Sequence, residues 1–81
     1  MDLKALAEYL VKRIVTNIDA VSVEEKKEED TYMINITVSE EDIGRVIGKD
    51  GKMINAIRTI VQASGYINEE PNVKVNIDTK N

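Results

Sequence analysis

Two glycines that stand three positions apart inside a helical pattern constrain the fold of this chain more than any other feature. In VIGKDGKMINAIR, residues 46–58, Gly48 and Gly51 enclose a lysine and an aspartate, and apolar residues lie on both sides. A glycine costs about 1 kcal/mol relative to alanine in a helix interior, and it is the residue type that most often ends a helix. The segment therefore predicts two helices that meet at a tight turn formed by GKDG.

The first half of the chain shows one helical period and two alternating segments. Apolar residues recur at three- and four-residue spacing over residues 2–17, which predicts an amphipathic helix. Residues 20–26, AVSVEEK, and residues 31–38, TYMINITV, alternate between apolar and polar positions and predict two strands. The charge run EEKKEED, residues 24–30, contains no apolar residue, and we expect it to form a solvated hairpin connection.

The second half contains the glycine turn and one more strand. Ser39 is a good N-cap residue, and the three acids after it suit the positive end of a helix dipole, so a short helix is predicted through residues 43–47. A second helix is predicted from the turn to about residue 64, where Gly65 closes it. A proline then marks the boundary before a last alternating strand, VKVNI, at residues 73–77.

These elements predict an α+β domain with the order α-β-β-α-α-β. Every predicted strand is polar on one face, so we expect the helices to pack on one face of a three-stranded sheet. The hairpin makes one strand pair antiparallel, and the crossover through two helices makes the other parallel, so the sheet is mixed. Eighty-one residues suffice for one small core, and we expect a single domain over residues 1–81.

The charge distribution singles out the glycine turn. The chain carries a net charge of −4, but residues 43–66 contain four basic side chains against one acid. The segments before and after this region are net acidic. Positive charge beside a turn whose glycines expose backbone amides indicates an anionic ligand.

Missing residue types exclude several classes of function. Cys and His are absent, and no Ser or Lys has an evident activating partner, so we expect no enzyme, no metal and no other cofactor. The run EEKKEED matches no calcium-binding loop, because it lacks the central glycine. The charged N-terminus is unlike a signal peptide, and no stretch approaches the roughly 20 apolar residues of a membrane span. We therefore expect a cytoplasmic protein without membrane contact.

Several motifs for nucleotides and nucleic acids can be excluded by counting. A P-loop needs a glycine five positions before its Gly-Lys pair, but Ile43 and Val46 stand there, and the dinucleotide fingerprint also needs glycine at position 46. A DNA-reading helix would begin with polar side chains, whereas KMINAI is too apolar for a major groove. Three tyrosines without Phe or Trp do not form the aromatic platform of an RRM or OB fold.

The interpretation that accounts for most of these residues is contact with a sugar–phosphate backbone. Gly48 and Gly51 lack a Cβ, so a backbone can approach closely, and the amides at the start of the following helix attract phosphate. Lys49 and Lys52 add positive charge. Along the second helix the apolar positions cover an arc of roughly 180°, wider than a core-facing helix needs, while Lys52 and Asn55 lie on the opposite face.

This combination resembles the KH domain, whose GxxG loop clamps about four nucleotides of single-stranded nucleic acid. The stretch IGRVIGKDGKMINAIRTIVQAS, residues 43–64, carries the pattern I-G-x-x-I-G-x-x-G-x-x-I followed by a helix. The element order resembles the type II arrangement, and the whole chain looks like the small stand-alone bacterial KH proteins of the KhpA type. The resemblance implies a loop made of Gly48, Lys49, Asp50 and Gly51. By the same resemblance, the residues that belong to the motif are Ile43, Gly44, Ile47, Ile54 and Ile57. Our candidates for the RNA groove are Ile43, Gly44, Arg45, Val46, Ile47, Lys52, Ile54, Asn55 and Arg58.

The resemblance also implies what the protein does. It implies binding of single-stranded RNA, as an RNA chaperone or post-transcriptional regulator. No residue of the motif stands out as a reader of base edges, so we expect low sequence specificity. The resemblance further implies a homodimer, or a heterodimer with a larger KH-domain protein. The alternative is a protein-interaction module whose main role is dimerisation with another KH-containing protein.

Individual residues of the motif have more than one explanation. We expect Lys49, Lys52, Arg45 and Arg58 to neutralise phosphates. Gly44 either admits a base or lets a helix pack closely against the sheet, and we favour packing. The aliphatic side chains of the motif are expected in the core as a set, with one or two of them also reaching the groove edge.

Overall fold

The computed structural model describes residues 2–80, and its order of elements is the predicted α-β-β-α-α-β. Short 3-10 turns at Ile18–Ala20, Glu40–Asp42 and Lys49–Gly51 connect the helices and strands. The helices and strands are α1 (Leu3–Lys12), β1 (Ser22–Glu28), β2 (Thr31–Ser39), α2 (Ile43–Ile47), α3 (Lys52–Ile67) and β3 (Val73–Lys80). No helix within residues 2–80 combines the length and apolar character needed to cross a bilayer.

The three strands form one mixed sheet in the order β1-β2-β3. β1 and β2 run antiparallel, with Val23 opposite Ile36, and β2 and β3 run parallel, with Ile34 opposite Val75. β3 therefore lies at one edge of the sheet, beside α3. This topology confirms the predicted α+β fold with a mixed sheet.

The helices share one core on a single face of the sheet. Val11 of α1, Val61 of α3 and Ile34 of β2 are completely removed from solvent. Burying an aliphatic side chain of this size stabilises a fold by about 1.5–3 kcal/mol, so this small set dominates the stability of a short chain. The buried apolar residues are Leu3, Ala7, Val11, Val15, Val23, Ile34, Ile36, Val38, Val46, Ile54, Ile57, Val61, Val73 and Val75.

The first helix is shorter than the apolar spacing predicts, because α1 ends at Lys12 rather than near residue 17. The carbonyl of Val11 accepts from the amides of both Ile14 and Val15, which tightens the last turn. The next amides, those of Thr16 and Asn17, bind a carboxylate from another part of the chain instead of continuing the helix.

The charge run is also placed differently from the prediction. Residues 24–28 belong to β1, and the hairpin connection is reduced to Glu29 and Asp30. Pairing with β2 supplies the backbone hydrogen bonds of this segment, so its side chains need no apolar face to be held in a strand. These side chains are exposed, and Lys26 and Glu28 form an ion pair across 3.1 Å.

Gly65 does not close the second helix as predicted, because α3 continues to Ile67. A Cβ at Gly65 would lie 2.5 Å from Val73 Cγ2 and 2.8 Å from the carbonyl oxygen of Glu70. The glycine therefore permits the close approach of β3 and its preceding loop to the helix. The amide of Glu70 donates to the carbonyl of Gly65 at 2.7 Å, which ties the loop to the end of α3.

Candidate nucleic-acid interface

The GKDG segment forms a tight left-handed turn between α2 and α3. Gly48 has φ 77° and ψ 173°, Asp50 has φ 56°, and Gly51 has φ 75°. A Cβ at Gly48 would lie 2.6 Å from the Cβ of Met53 and 2.8 Å from its backbone nitrogen. Position 48 therefore requires glycine both for its backbone conformation and for space.

The turn presents the N-terminus of α3 to solvent. Gly51 is the N-cap residue and has no side chain to accept a hydrogen bond from the first amides of the helix. Lys49 lies within the turn and Lys52 is the first residue of α3, and both are exposed. The helix dipole and two cations therefore act together on whatever lies against the turn. The exposed carboxylate of Asp50 stands between the two lysines in sequence and offsets part of this charge.

The polar face of α3 lies against the outer edge of β3. Arg58 Nε donates to the carbonyl oxygen of Val75 at 3.1 Å, and Gln62 Nε2 donates to the carbonyl oxygen of Val73 at 3.1 Å. Arg58 Nη1 also donates to Asn55 Oδ1 at 3.3 Å. The structure therefore places Asn55 and Arg58 in contact and ties Arg58 to the strand.

The aliphatic candidates divide between core and surface. Val46 and Ile54 are 0% and 5% exposed, so they support the site from the core and offer little surface to a ligand. Ile43 is half-buried against the core, and Ile47 is 37% exposed. Ile43 and Ile47 are therefore the two aliphatic candidates that can reach the groove surface.

Gly44 has a different role from the packing role that we favoured. It lies on α2 in an exposed position, and a Cβ built there would meet nothing within 4 Å. Close packing against the sheet is therefore not the reason for glycine at this position. The open space beside Gly44 agrees with the other explanation, in which a ligand passes over it.

Asp42 is a buried charge that the sequence analysis missed. Its carboxylate accepts from the amides of Thr16 and Asn17, from the Thr16 hydroxyl and from the Ser39 hydroxyl. The amide hydrogen bonds, led by that of Thr16, lower the pKa of Asp42 to about 2 from its ordinary 3.8. Arg45 Nε lies 3.9 Å from the same carboxylate but remains largely exposed. This network holds the start of α2 in place.

The same network changes the role of Ser39. Ser39 precedes the 3-10 turn, and its hydroxyl donates to Asp42 Oδ2 at 3.0 Å instead of capping a helix amide. In the sequence Asp42 is one of three consecutive acids, and only the shortness of its side chain and its spacing from Ser39 distinguish it. Those signals are too weak to identify it.

A second feature missed from the sequence is an exposed apolar stripe along α3. Met53, Ile60 and Ile67 are 40%, 47% and 80% exposed, and they follow one another at seven-residue spacing. The exposed Ala56 and Ala63 lie between them. The feature of the sequence that indicates this stripe is the wide apolar arc of the helix. One part of the arc packs against the core, and the rest of the arc is the exposed stripe. We call these five residues the α3 stripe.

No group of acidic side chains in residues 2–80 has the geometry of a metal site. The hydrogen-bond donors at and near the GKDG turn in sequence are backbone amides, the ammonium groups of Lys49 and Lys52, and the guanidinium groups of Arg45 and Arg58. These groups bind anions and hydrogen-bond acceptors.

Comparison with known proteins identifies the family. The family model described as the KH domain of KhpA/KhpB matches residues 4–78. The chain is similar to proteins named RNA-binding protein KhpA, being 40% identical over 75 residues to that of Clostridium perfringens, which covers 93% of this chain and 99% of the relative. It is 34% identical over 76 residues to that of Chlamydia trachomatis, covering 94% of each, and 41% identical over 63 residues to that of Aquifex aeolicus, covering 78% and 80%.

The matching family is not a family of enzymes, in agreement with the prediction from the sequence. The α-β-β-α-α-β order around a three-stranded mixed sheet fits the type II KH topology. The turn, the fold and the relatives thus converge, and the chain belongs to the KhpA/KhpB family of KH domains.

Proposed function

We propose that this protein binds single-stranded RNA and clamps about four nucleotides at Gly48–Gly51. The observation that carries this proposal is the left-handed turn, whose residues 48, 50 and 51 have positive φ and leave the N-terminus of α3 without a side-chain cap. The amides of Gly51 and Lys52 already donate to the carbonyls of Gly48 and Lys49 within the turn. A phosphate there therefore meets the next amides of α3, the positive end of the helix dipole and the two exposed lysines. The relatives named as RNA-binding proteins support RNA as the ligand.

The bases follow a groove beside the loop. One wall is the polar face of α3, with Asn55 and Arg58, and the other is the open surface of α2 around Gly44. Ile43 and Ile47 contribute the apolar surface that unstacked bases need. Val46 and Ile54 hold this surface from beneath.

Contacts to the RNA backbone dominate this mode of binding. With about three phosphate contacts, the logarithm of the binding constant should fall with the logarithm of salt concentration at a slope of about −2. Such contacts carry no sequence information, so sequence specificity is low at most positions of the clamp. A clamp of this kind suits a cytoplasmic RNA chaperone or post-transcriptional regulator.

Fluorescence anisotropy with short single-stranded RNAs at two salt concentrations tests the proposal. Lys49→Asp reverses one charge at the turn and should weaken binding on the order of tenfold and reduce the salt slope. Lys74→Asp makes the same charge change at an exposed position on β3, away from the turn, and should leave affinity within about twofold. Equal binding by wild type and Lys49→Asp, with both folded by circular dichroism, would remove the turn as the phosphate site.

A second function rests on the α3 stripe. Its apolar residues recur at alternating three- and four-residue intervals along a helix of 16 residues, the spacing of a seam that packs against another helix. We propose that the protein dimerises through this stripe with a second copy of itself, and a larger KH-domain protein is the alternative partner. The stripe lies on another face of α3 than Asn55 and Arg58, so a dimer leaves both grooves open and can place two of them on one RNA.

A further inference from the structure

Arg58 is held in a fixed orientation, unlike the exposed lysines of the turn. Its Nε and Nη1 groups donate to the Val75 carbonyl and to Asn55 Oδ1, at 3.1 and 3.3 Å. A guanidinium has five N–H groups, so three remain for a ligand. Because the guanidinium is planar, two bonds that fix its plane also fix the direction of the remaining donors.

The outer edge of β3 beside Arg58 has its carbonyls occupied. The carbonyl of Asn72 accepts from the amide of Tyr32 on β2, so the carbonyls of Val73 and Val75 point outward in the alternating pattern of a strand. Gln62 and Arg58 donate to these two carbonyls. Beside the middle of α3 the site therefore offers N–H donors, and the outward carbonyls of Val73 and Val75 each already accept one hydrogen bond from this helix.

We propose that Arg58 selects guanine at one position of the bound RNA, an inference that rests on the proposed RNA-binding function. Guanine presents two adjacent acceptors, O6 and N7, to the planar donor pair of an arginine. Adenine and cytosine present an amino group, which needs an acceptor. The acceptors beside Arg58, the Val75 carbonyl and Asn55 Oδ1, each already accept one hydrogen bond from Arg58, so the groups that face a base here are mainly donors.

The position of Arg58 fits a base rather than a phosphate. It lies seven residues beyond Gly51, or about 10 Å along the axis of α3, within reach of a nucleotide next to the one clamped at the turn. The backbone phosphates already have Lys49, Lys52 and the helix amides. Arg58 is thus a specificity-determining residue of the groove, and its role differs from the phosphate neutralisation that its charge alone predicts.

The test uses two oligouridine hexamers that differ in one central nucleotide, guanosine in one and adenosine in the other. The wild-type protein should bind the guanosine hexamer on the order of tenfold more tightly by fluorescence anisotropy. Arg58→Lys keeps the charge but loses the planar donor pair, so the ratio should fall below about two while the salt slope stays unchanged. Gln62→Ala removes a neutral contact to the same strand edge and should keep the wild-type ratio.

The outcomes separate this inference from the proposed function. Binding of neither hexamer by the wild type would overturn the RNA-binding proposal, and the selection of guanine with it. Equal binding of both hexamers would overturn guanine selection alone. A ratio that survives in Arg58→Lys, or that is lost equally in Gln62→Ala, would show that Arg58 is not the reader. If Arg58→Lys fails to fold, Arg58→Gln, which can still donate to the Val75 carbonyl, provides the same comparison.

Discussion

The carboxylate of Asp42 accepts two hydrogen bonds from Thr16, one from its amide and one from its hydroxyl, each at 2.9 Å. Twenty-six residues separate the two in sequence, so the contact joins the segment after α1 to the beginning of α2. The helix that leads into the GKDG turn is thereby anchored by the residue that immediately precedes it. The shape of the candidate site thus depends on a residue that lies outside the turn and the proposed groove.

Asp42→Asn should destabilise the fold although it changes only one atom. An amide can accept at its oxygen, but its NH2 group faces the donor of Asn17 or Ser39, and a buried donor loses its partner. We expect a fall of roughly 10 °C in Tm in thermal melts followed by circular dichroism. Glu41→Gln removes the same charge from the exposed neighbouring residue and should shift Tm by less than about 3 °C. Equal shifts in the two variants would contradict an anchoring role for Asp42.

The stability of the protein should depend on pH through the same carboxyl group. The folded-state pKa of Asp42 is about 2, below its ordinary 3.8, so the ionised form is bound more strongly in the folded protein. Its contribution is complete above about pH 4 and is lost as the pH falls towards 2. Urea unfolding at pH 5, 3 and 2 should therefore show a smaller decline in the free energy of unfolding for Asp42→Asn than for wild type. Parallel declines would indicate that other carboxyl groups cause the acid sensitivity.

The sequence predicts a structural feature when the residues that determine it are neighbours in the chain. It does not predict the feature when the determining contact comes from a residue far away in sequence. β2, β3 and α3 follow from the periodic spacing of apolar residues, which is visible within about ten residues of sequence, and the turn follows from two glycines. The end of α1 could not be predicted, because the amides of Thr16 and Asn17 are bound by Asp42. The role of Gly65 depends on Val73, which approaches it only after the chain turns back.

In the candidate site, too, some features are determined by neighbouring residues and others by residues distant in sequence. The loop residues are recognisable because their glycines serve a local backbone conformation. Arg58 carries a charge that suggests phosphate, and only the position of the β3 edge reveals that its guanidinium is bound to Val75. Likewise, the α3 stripe is apolar like the core, and the packing of the helix is needed to show which apolar residues remain exposed.

Alanine in place of Gly44, on α2, and of Gly48, in the turn, should change the free energy of unfolding in opposite directions. Gly48→Ala introduces a Cβ that would lie 2.6 Å from that of Met53 at a φ of 77°, so we expect a loss of about 2 kcal/mol or more in the free energy of unfolding. Gly44→Ala meets nothing within 4 Å on a helix, where alanine is favoured, and should stabilise by up to about 1 kcal/mol. Urea unfolding measures both changes.

The same pair also tests the groove. If a base passes over Gly44, Gly44→Ala should weaken RNA binding several-fold although the protein is more stable, because the added methyl group occupies the space of the ligand. Unchanged affinity in this variant would place the RNA path away from α2. Gly48→Ala cannot give this information, because a variant that loses stability would lose RNA binding whichever path the RNA takes. Gly44 is therefore the informative position.

Dimerisation through the α3 stripe predicts a concentration-dependent mass. The exposed side chains of Met53, Ile60 and Ile67 would be buried against a second copy. Ile60 lies near the middle of this 16-residue helix. In sedimentation at tens of micromolar, wild type should be a dimer, and Ile60→Glu should be a monomer that retains its helical circular dichroism spectrum.

The control for this experiment is Ala5→Glu, which adds the same charge at an exposed position on α1 and should leave the dimer intact. The Ile60→Glu monomer should bind a short oligonucleotide as well as wild type does. It should bind more weakly than wild type to an oligonucleotide long enough to span two grooves, because only that binding gains from two linked sites. A wild-type monomer at these concentrations would exclude self-association and leave a larger KH-domain protein as the partner of the stripe. A dimer that survives Ile60→Glu would place the interface on another face of the domain.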